Sequence, residues 1–246
     1  ACAVRRLHLR DAAYRLGLAR LESLLDPSSA DLWPRHHQHF GGSLALTAAA
    51  YRRVGGLPVV PYLEDEALWQ LLRRHDLRLR HSPQVRVATS PRQQGRVAVG
   101  LSWQLRTWAE DAAAGREPLA PHPRRLVAEW QARRQLRALW QHWQTGQRAA
   151  AWTILRPVAE ALYASPAALL PQLAVAETFG ALWDTASGAA VAAWVARWPD
   201  LPLAAATAEL RRQLTAAEAS APGQQIEPVR FCPVALQVAQ STVRPA

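Results

Sequence analysis

Three adjacent carboxylates, Glu64, Asp65 and Glu66, open the amphipathic stretch Glu64-Asp65-Glu66-Ala67-Leu68. An ionised, well-placed carboxylate can accept the proton of an attacking hydroxyl, so the cluster holds a candidate general base. Acidic residues also favour helix N-termini because of the dipole and the unpaired amides there, and that same environment keeps a carboxylate ionised. Three histidines, His36, His37 and His39, crowd a polar, aromatic loop just upstream. Their spacing suits metal binding mainly on a helix, whereas Pro34 and Gly41-Gly42 bracket a loop; contact with a substrate, or a solvated or capping role, fits that placement. Further on, Ser90 to Arg96 is a basic loop whose Arg92 and Arg96 suit closure over a phosphate, although a plain surface loop has the same composition.

The elements that would position these groups follow from periodicity and punctuation. Gly41 to Thr47 reads as a short strand entered through two glycines, and Thr47 as the N-cap of a helix that stops at Gly55-Gly56. From Glu64 the pattern predicts a helix, with Ala67, Leu68, Leu71 and Leu72 on one stripe and Gln70, Arg73 and Arg74 facing away. Leu77 to His81 and Val85 to Thr89 alternate with period two and predict a strand pair, with Leu77, Leu79, Val85 and Val87 buried. A helix is expected upstream over 11–25, carried by Tyr14, Leu18, Leu21 and Leu25, and another downstream over 97–114.

Residues 115–123 hold three prolines and read as a linker, after which the chain becomes helical. The segment 124–145 places Leu136, Leu139, Trp140 and Trp143 on one face with Arg124, Arg125, Arg133, Arg134 and Arg137 around it. More helices are expected over 147–163, 166–185, 187–198 and 203–219, and an irregular tail over 222–246. The domain reading is therefore 1–114, a linker at 115–123, a helical region at 124–221 and the tail.

At 246 residues the chain can bury one large core or two small ones. Its formal charge of +10 comes from 29 basic residues, all of them arginine, against 19 acidic ones. Such an excess points to an anionic partner, and equally reflects a general preference for arginine and alanine, so only clustering at a site ties it to function. Cys2 and Cys232 show neither metal-ligand spacing nor a disulfide framework, which makes a reducing, cytoplasmic setting the expectation. Charges and prolines interrupt every apolar run before the roughly 18 residues of a spanning helix. The stretch 161–176 comes nearest and is broken by Pro166 and Pro171. With no methionine at its start, the sequence reads as beginning inside a gene product.

Taken in order, Gly41-Gly42-Ser43-Leu44-Ala45-Leu46, Tyr51-Arg52-Arg53-Val54-Gly55-Gly56-Leu57, Leu63-Glu64-Asp65-Glu66-Ala67-Leu68 and Leu71-Leu72-Arg73-Arg74, with the strand pair ending at Thr89-Ser90, resemble family 2 glycosyltransferases of the GT-A fold. The resemblance covers the acceptor-side part of that family, within residues 33–108. It implies an α/β fold for this part, a partial GT-A-like nucleotide-diphospho-sugar transferase half, followed by an all-α C-terminal region. It also implies inverting transfer of a sugar from a nucleotide-diphosphate donor to an acceptor hydroxyl. Asp65 then falls on the general base, Glu64 on its neighbour, and Gly41, Gly42 and Ser43 on the pocket wall, with His36 and His39 as further substrate contacts. Arg92 and Arg96 would neutralise the leaving diphosphate. Gln104 and Trp108 resemble pocket positions of the Gln-x-x-Arg-Trp motif of processive synthases, with Thr107 where that motif has arginine, so processivity is not carried over. Mn²⁺ or Mg²⁺ is expected for the full-length enzyme, with ligands outside this chain, because no paired aspartates follow a hydrophobic strand here. The chain is accordingly expected to be a fragment that lacks the donor-binding half and is inactive alone. Peripheral membrane contact at the inner face is expected, and no specific nucleic acid. The alternative from another class is a basic helical module that lays the Arg124–Trp143 stretch on an anionic membrane surface or nucleic acid.

Overall fold

The computed structural model describes residues 2–220; the stretch 222–246, including Cys232, lies outside the described residues. Helix α1 (Cys2–Leu25) runs further upstream than the 11–25 expected, and its Tyr14 and Leu21 are buried. They pack in one core with Leu203, Ala206 and Leu210 of α10 (Leu203–Ser220) and with Trp130 of α5 (Pro123–Gln144). Gly17 lets α10 come close: a Cβ there would lie 2.8 Å from Leu210 Cδ2.

A second core joins α5, through Leu136 and Leu139, to α6 (Arg148–Ala161), α7 (Pro166–Val175), α8 (Phe179–Ala186) and α9 (Gly188–Arg197). Helix α5 thus serves the two cores with two faces, Leu126, Val127 and Trp130 on one and Ala132, Leu136 and Leu139 on the other. The expected linker 115–123 holds β1 (Leu119–Ala120), which pairs antiparallel with β2 (Leu201–Pro202), Leu119 opposite Pro202.

The α/β expectation is overturned. The structure is 63 % helical with ten α-helices, and the β1–β2 pair is its one small sheet among the described residues, so residues 1–114 are not a GT-A-like half. Gly41–Ser43 form a single 3-10 turn instead of a strand. Residues 77–81 and 85–89 form no ladder. Alternation encodes a chain with one apolar side, but a strand also needs a neighbour for its amides and carbonyls. Leu77 and Leu79 do turn inward, onto the small cluster of Val54, Leu68 and Leu72, while Val85 and Val87 stay exposed.

Other elements fall where their signals put them. Thr47 caps α2 (Ala48–Arg53) by accepting the Ala50 amide, and α3 (Glu64–Arg74) begins at the acidic cluster and buries Leu68 and Leu72. Helix α4 (Leu101–Ala113) packs on α1. The helix expected over 166–185 is split into α7 and α8, because Thr178 caps a new start and the Asp76 carboxylate accepts the Phe179 and Gly180 amides at 2.6 and 2.9 Å. Gly180 sits directly on the end of α3: a Cβ there would be 2.1 Å from the Arg73 carbonyl oxygen.

Candidate functional site

Asp65 lies in the first turn of α3, and its carboxylate reaches across to the double glycine. Its Oδ2 accepts the Gly41 amide at 2.7 Å and its Oδ1 the Glu66 amide at 2.9 Å. Each oxygen keeps a further lone pair for another donor. Two sequence stretches separated by more than twenty residues therefore meet at one carboxylate. Neither Gly41 nor Gly42 has a positive φ, and a Cβ would meet Asp65 at an ordinary 3.6 Å in the first case and nothing within 4 Å in the second. Neither backbone strain nor packing therefore demands glycine at either position.

Leu63, immediately before the cluster, is held in the left-handed region at φ 59° and ψ 40° with its side chain largely exposed. A bulky residue in that conformation costs about 1–3 kcal/mol, and such strain concentrates at functional sites.

Glu66 is tied to the histidine loop. Its Oε2 meets His39 Nε2 at 2.5 Å and its Oε1 accepts Gln70 Nε2 at 2.9 Å. The hydrogen bond from His39, ahead of the opposing effect of burial, holds the Glu66 carboxyl below its ordinary range, so the carboxylate accepts and His39 Nε2 carries the proton. The His39 ring stacks on Trp69 with centroids 4.6 Å apart and planes 11° from parallel, and the Arg73 guanidinium lies 4.5 Å from the centre of the same indole. No family model, curated protein or solved structure matches the chain.

The remaining predicted residues are dispersed. Glu64 is exposed at the helix start, and Ser43 closes the 3-10 turn by donating its amide to the Phe40 carbonyl at 2.9 Å. His36 faces His81, edge to face at 5.4 Å, and burial lowers the pKa of its imidazolium. Burial pushes His37 down to about 3, and its Nδ1 has no hydrogen-bond partner in the described residues. Among the described residues no three histidine, cysteine or acidic side chains converge as metal ligands. Arg92 and Arg96 are exposed and make no ion pair within the described residues. Trp108 is buried between α4 and α1, tilted against His8 at 5.2 Å, and Gln104 is half-buried on the same helix. Trp108 therefore packs in the core.

Two features escaped the sequence reading. Trp69 stands four residues after Asp65, on the same face of α3, a spacing that was available as a signal. The second has no local signal. The carboxylates of Glu22, Asp26 and Asp31 form one network with Arg133, Arg137, Arg35 and His81. Arg133 Nε donates to Asp26 Oδ2 at 2.5 Å, and His81 Nδ1 lies 2.7 Å from Asp31 Oδ2.

Proposed function

We propose that the chain supplies the acceptor side of a glycosyl transfer from a nucleotide-diphosphate sugar, with Asp65 as general base. The observation that carries this reading is the contact between Asp65 and Gly41: two of the stretches that carry the family resemblance meet at one carboxylate. The reading rests on this site and not on the fold, since chemistry of one kind recurs on unrelated folds.

An acceptor hydroxyl brought to Asp65 donates its proton to a free lone pair of the carboxylate. Its oxygen then forms the new bond to the anomeric carbon, and the bond to the diphosphate breaks with its electron pair leaving on the nucleotide. Glu66 and His39 brace the carboxylate's neighbourhood through their own pair, and Glu64 adds negative charge at the rim. The strained Leu63 supports the assignment, since it aims the start of α3 at some energetic cost.

The test is release of nucleoside diphosphate from a panel of nucleotide sugars by the full gene product, with divalent metal supplied. Asp65→Asn is expected to lower turnover about 10²–10⁴-fold while sparing donor binding. Equal turnover in that variant removes Asp65 from the mechanism, and no release from any donor by the wild type removes the reaction class.

Most arginines of the 124–143 stretch, the basis of the alternative of a lipid- or nucleic-acid-facing α5, have carboxylate partners within the fold. Arg133 and Arg137 pair with Asp26, Arg124 with Glu209 and Arg125 with Asp200, while Leu136 and Leu139 are fully buried. Arg133 spends its charge inside the fold, while Arg124 and Arg134 remain exposed.

A further inference from the structure

His36 and His37 lie side by side in a loop whose two ends are tied down by unlike charges and whose middle is not. At the near end, Asp31 Oδ1 accepts the His81 amide at 2.8 Å and its Oδ2 meets His81 Nδ1 at 2.7 Å. Arg35 fastens the same end to α1: it pairs with Glu22 and donates to Ser23 Oγ at 3.0 Å and to the Ala19 carbonyl at 3.2 Å. At the far end, His39 pairs with Glu66 of α3. The carboxyls of Asp31, at about 2, and of Glu66, below its ordinary range, stay ionised in mild acid. A proton gained by a histidine at either end therefore strengthens the tie there.

The middle of the loop fits neutral imidazoles only. His36 Nδ1 accepts the Gln38 amide at 3.1 Å, while the His36 amide itself donates to the His81 carbonyl at 3.1 Å. A proton on that Nδ1 would set one donor against another. His37 Nδ1 is buried without a hydrogen-bond partner, so a proton there would be a buried donor with no acceptor. The groups that face the pair are cationic or able to become so: Arg15 from α1, itself held by Asp11 at 2.8 Å, Arg35 and His39 from the loop, and His81 from the stretch 77–83. The one carboxylate facing them, Asp31, is already engaged by His81, Arg35 and Arg80. Burial first, and like charge after it, holds both imidazoles below the ordinary histidine range, His37 at about 3.

We propose that His36, His37 and Gln38 form a proton-operated flap: protonation of the two imidazoles turns this stretch away from α1 into solvent, between ends that Arg35 and His39 keep in place. Once out, each ring regains the ordinary value of 6.5. The closed form is thus favoured above that pH, and for a ring held well below 6.5 the open fraction grows about tenfold for each pH unit below it. The flap is independent of any role for Asp65.

Residue-resolved amide exchange in the full chain, corrected for the intrinsic effect of pH, tests it. Between about pH 7.5 and about pH 5.5, protection of the His36 and Gln38 amides is expected to fall about tenfold or more. The His81 amide on Asp31 and the amides of α5 are expected to hold theirs within about twofold. His36→Asn with His37→Gln removes both titrations and offers the Gln38 amide a carbonyl oxygen in place of Nδ1, so its protection is expected to be the same at both pH values. Should that variant not fold, the ring resonances of the wild type decide: the His37 imidazole is expected to titrate below 6.5. Unchanged protection in the wild type, an equal fall in the folded variant, or a His37 ring that titrates at 6.5 overturns the inference. A fall shared by α5 also overturns it, by making the change one of the whole fold.

Discussion

Glu22 shows how a single side chain in this fold is governed by partners far away in sequence. Burial pushes its carboxyl upward, but the charges and hydrogen bonds of Arg133 and Arg35 outweigh that and hold it at about 2, from an ordinary 4.5. Asp31 behaves alike: burial raises it, while hydrogen bonds and charge from His81, with Arg35, bring it to about 2. Because the folded values lie below the unfolded ones, the unfolded chain takes up protons first as the pH falls. Both carboxylates therefore contribute fully above about pH 4.5, and their contribution is lost as the pH drops towards 2. Urea midpoints measured across that window should fall steeply for the wild type. Glu22→Gln should be less stable at neutral pH and show a shallower fall, and an equal slope would deny Glu22 its share. None of this is legible locally, since Arg133 carries the same letter as the exposed arginines around it. Asp65 was legible, through its place at the start of a helix, but its contact with Gly41 was not.

Single elements were legible where a cap and a 3.6-residue period agree. Thr47 before α2, the acidic start of α3 and the stripe of α5 all put their helices where the structure has them. The reading failed where period two stood alone: Leu77 and Leu79 have the alternation of a strand, but they use it to cover α3. It failed again over 166–185, where Ala and Leu favour one continuous helix and the break is imposed by Asp76, a residue from a distant turn. The junction between α3 and α8 can be tested at Gly180. Gly180→Ala drives a methyl against the Arg73 carbonyl oxygen and the Arg74 Cα, backbone atoms that cannot swing aside. Destabilisation of about 1–3 kcal/mol is expected in urea unfolding. A neutral result would mean that α8 rides away from α3 without cost.

Across the whole molecule, α5 joins the two cores, and its buried Arg133 locks α1 to it through Glu22 and Asp26. Removing one partner of such a network leaves charges buried without compensation. Arg133→Ala is expected to cost about 3 kcal/mol or more, read from chemical denaturation, whereas an exposed pair such as Arg156 with Glu160 should contribute well under about 1 kcal/mol. Equal small effects at both sites would remove the network from the stability of the fold. The packing of α3 on α8 has a mechanical meaning as well. Helix α3 carries Asp65 at one end and is seated on Gly180 at the other, so about 16 Å of helix joins the two. A tilt of roughly 5° at the seated end would sweep the first turn through more than about 1 Å. The seat that α8 provides for α3 thus fixes where Asp65, more than one hundred positions upstream, stands.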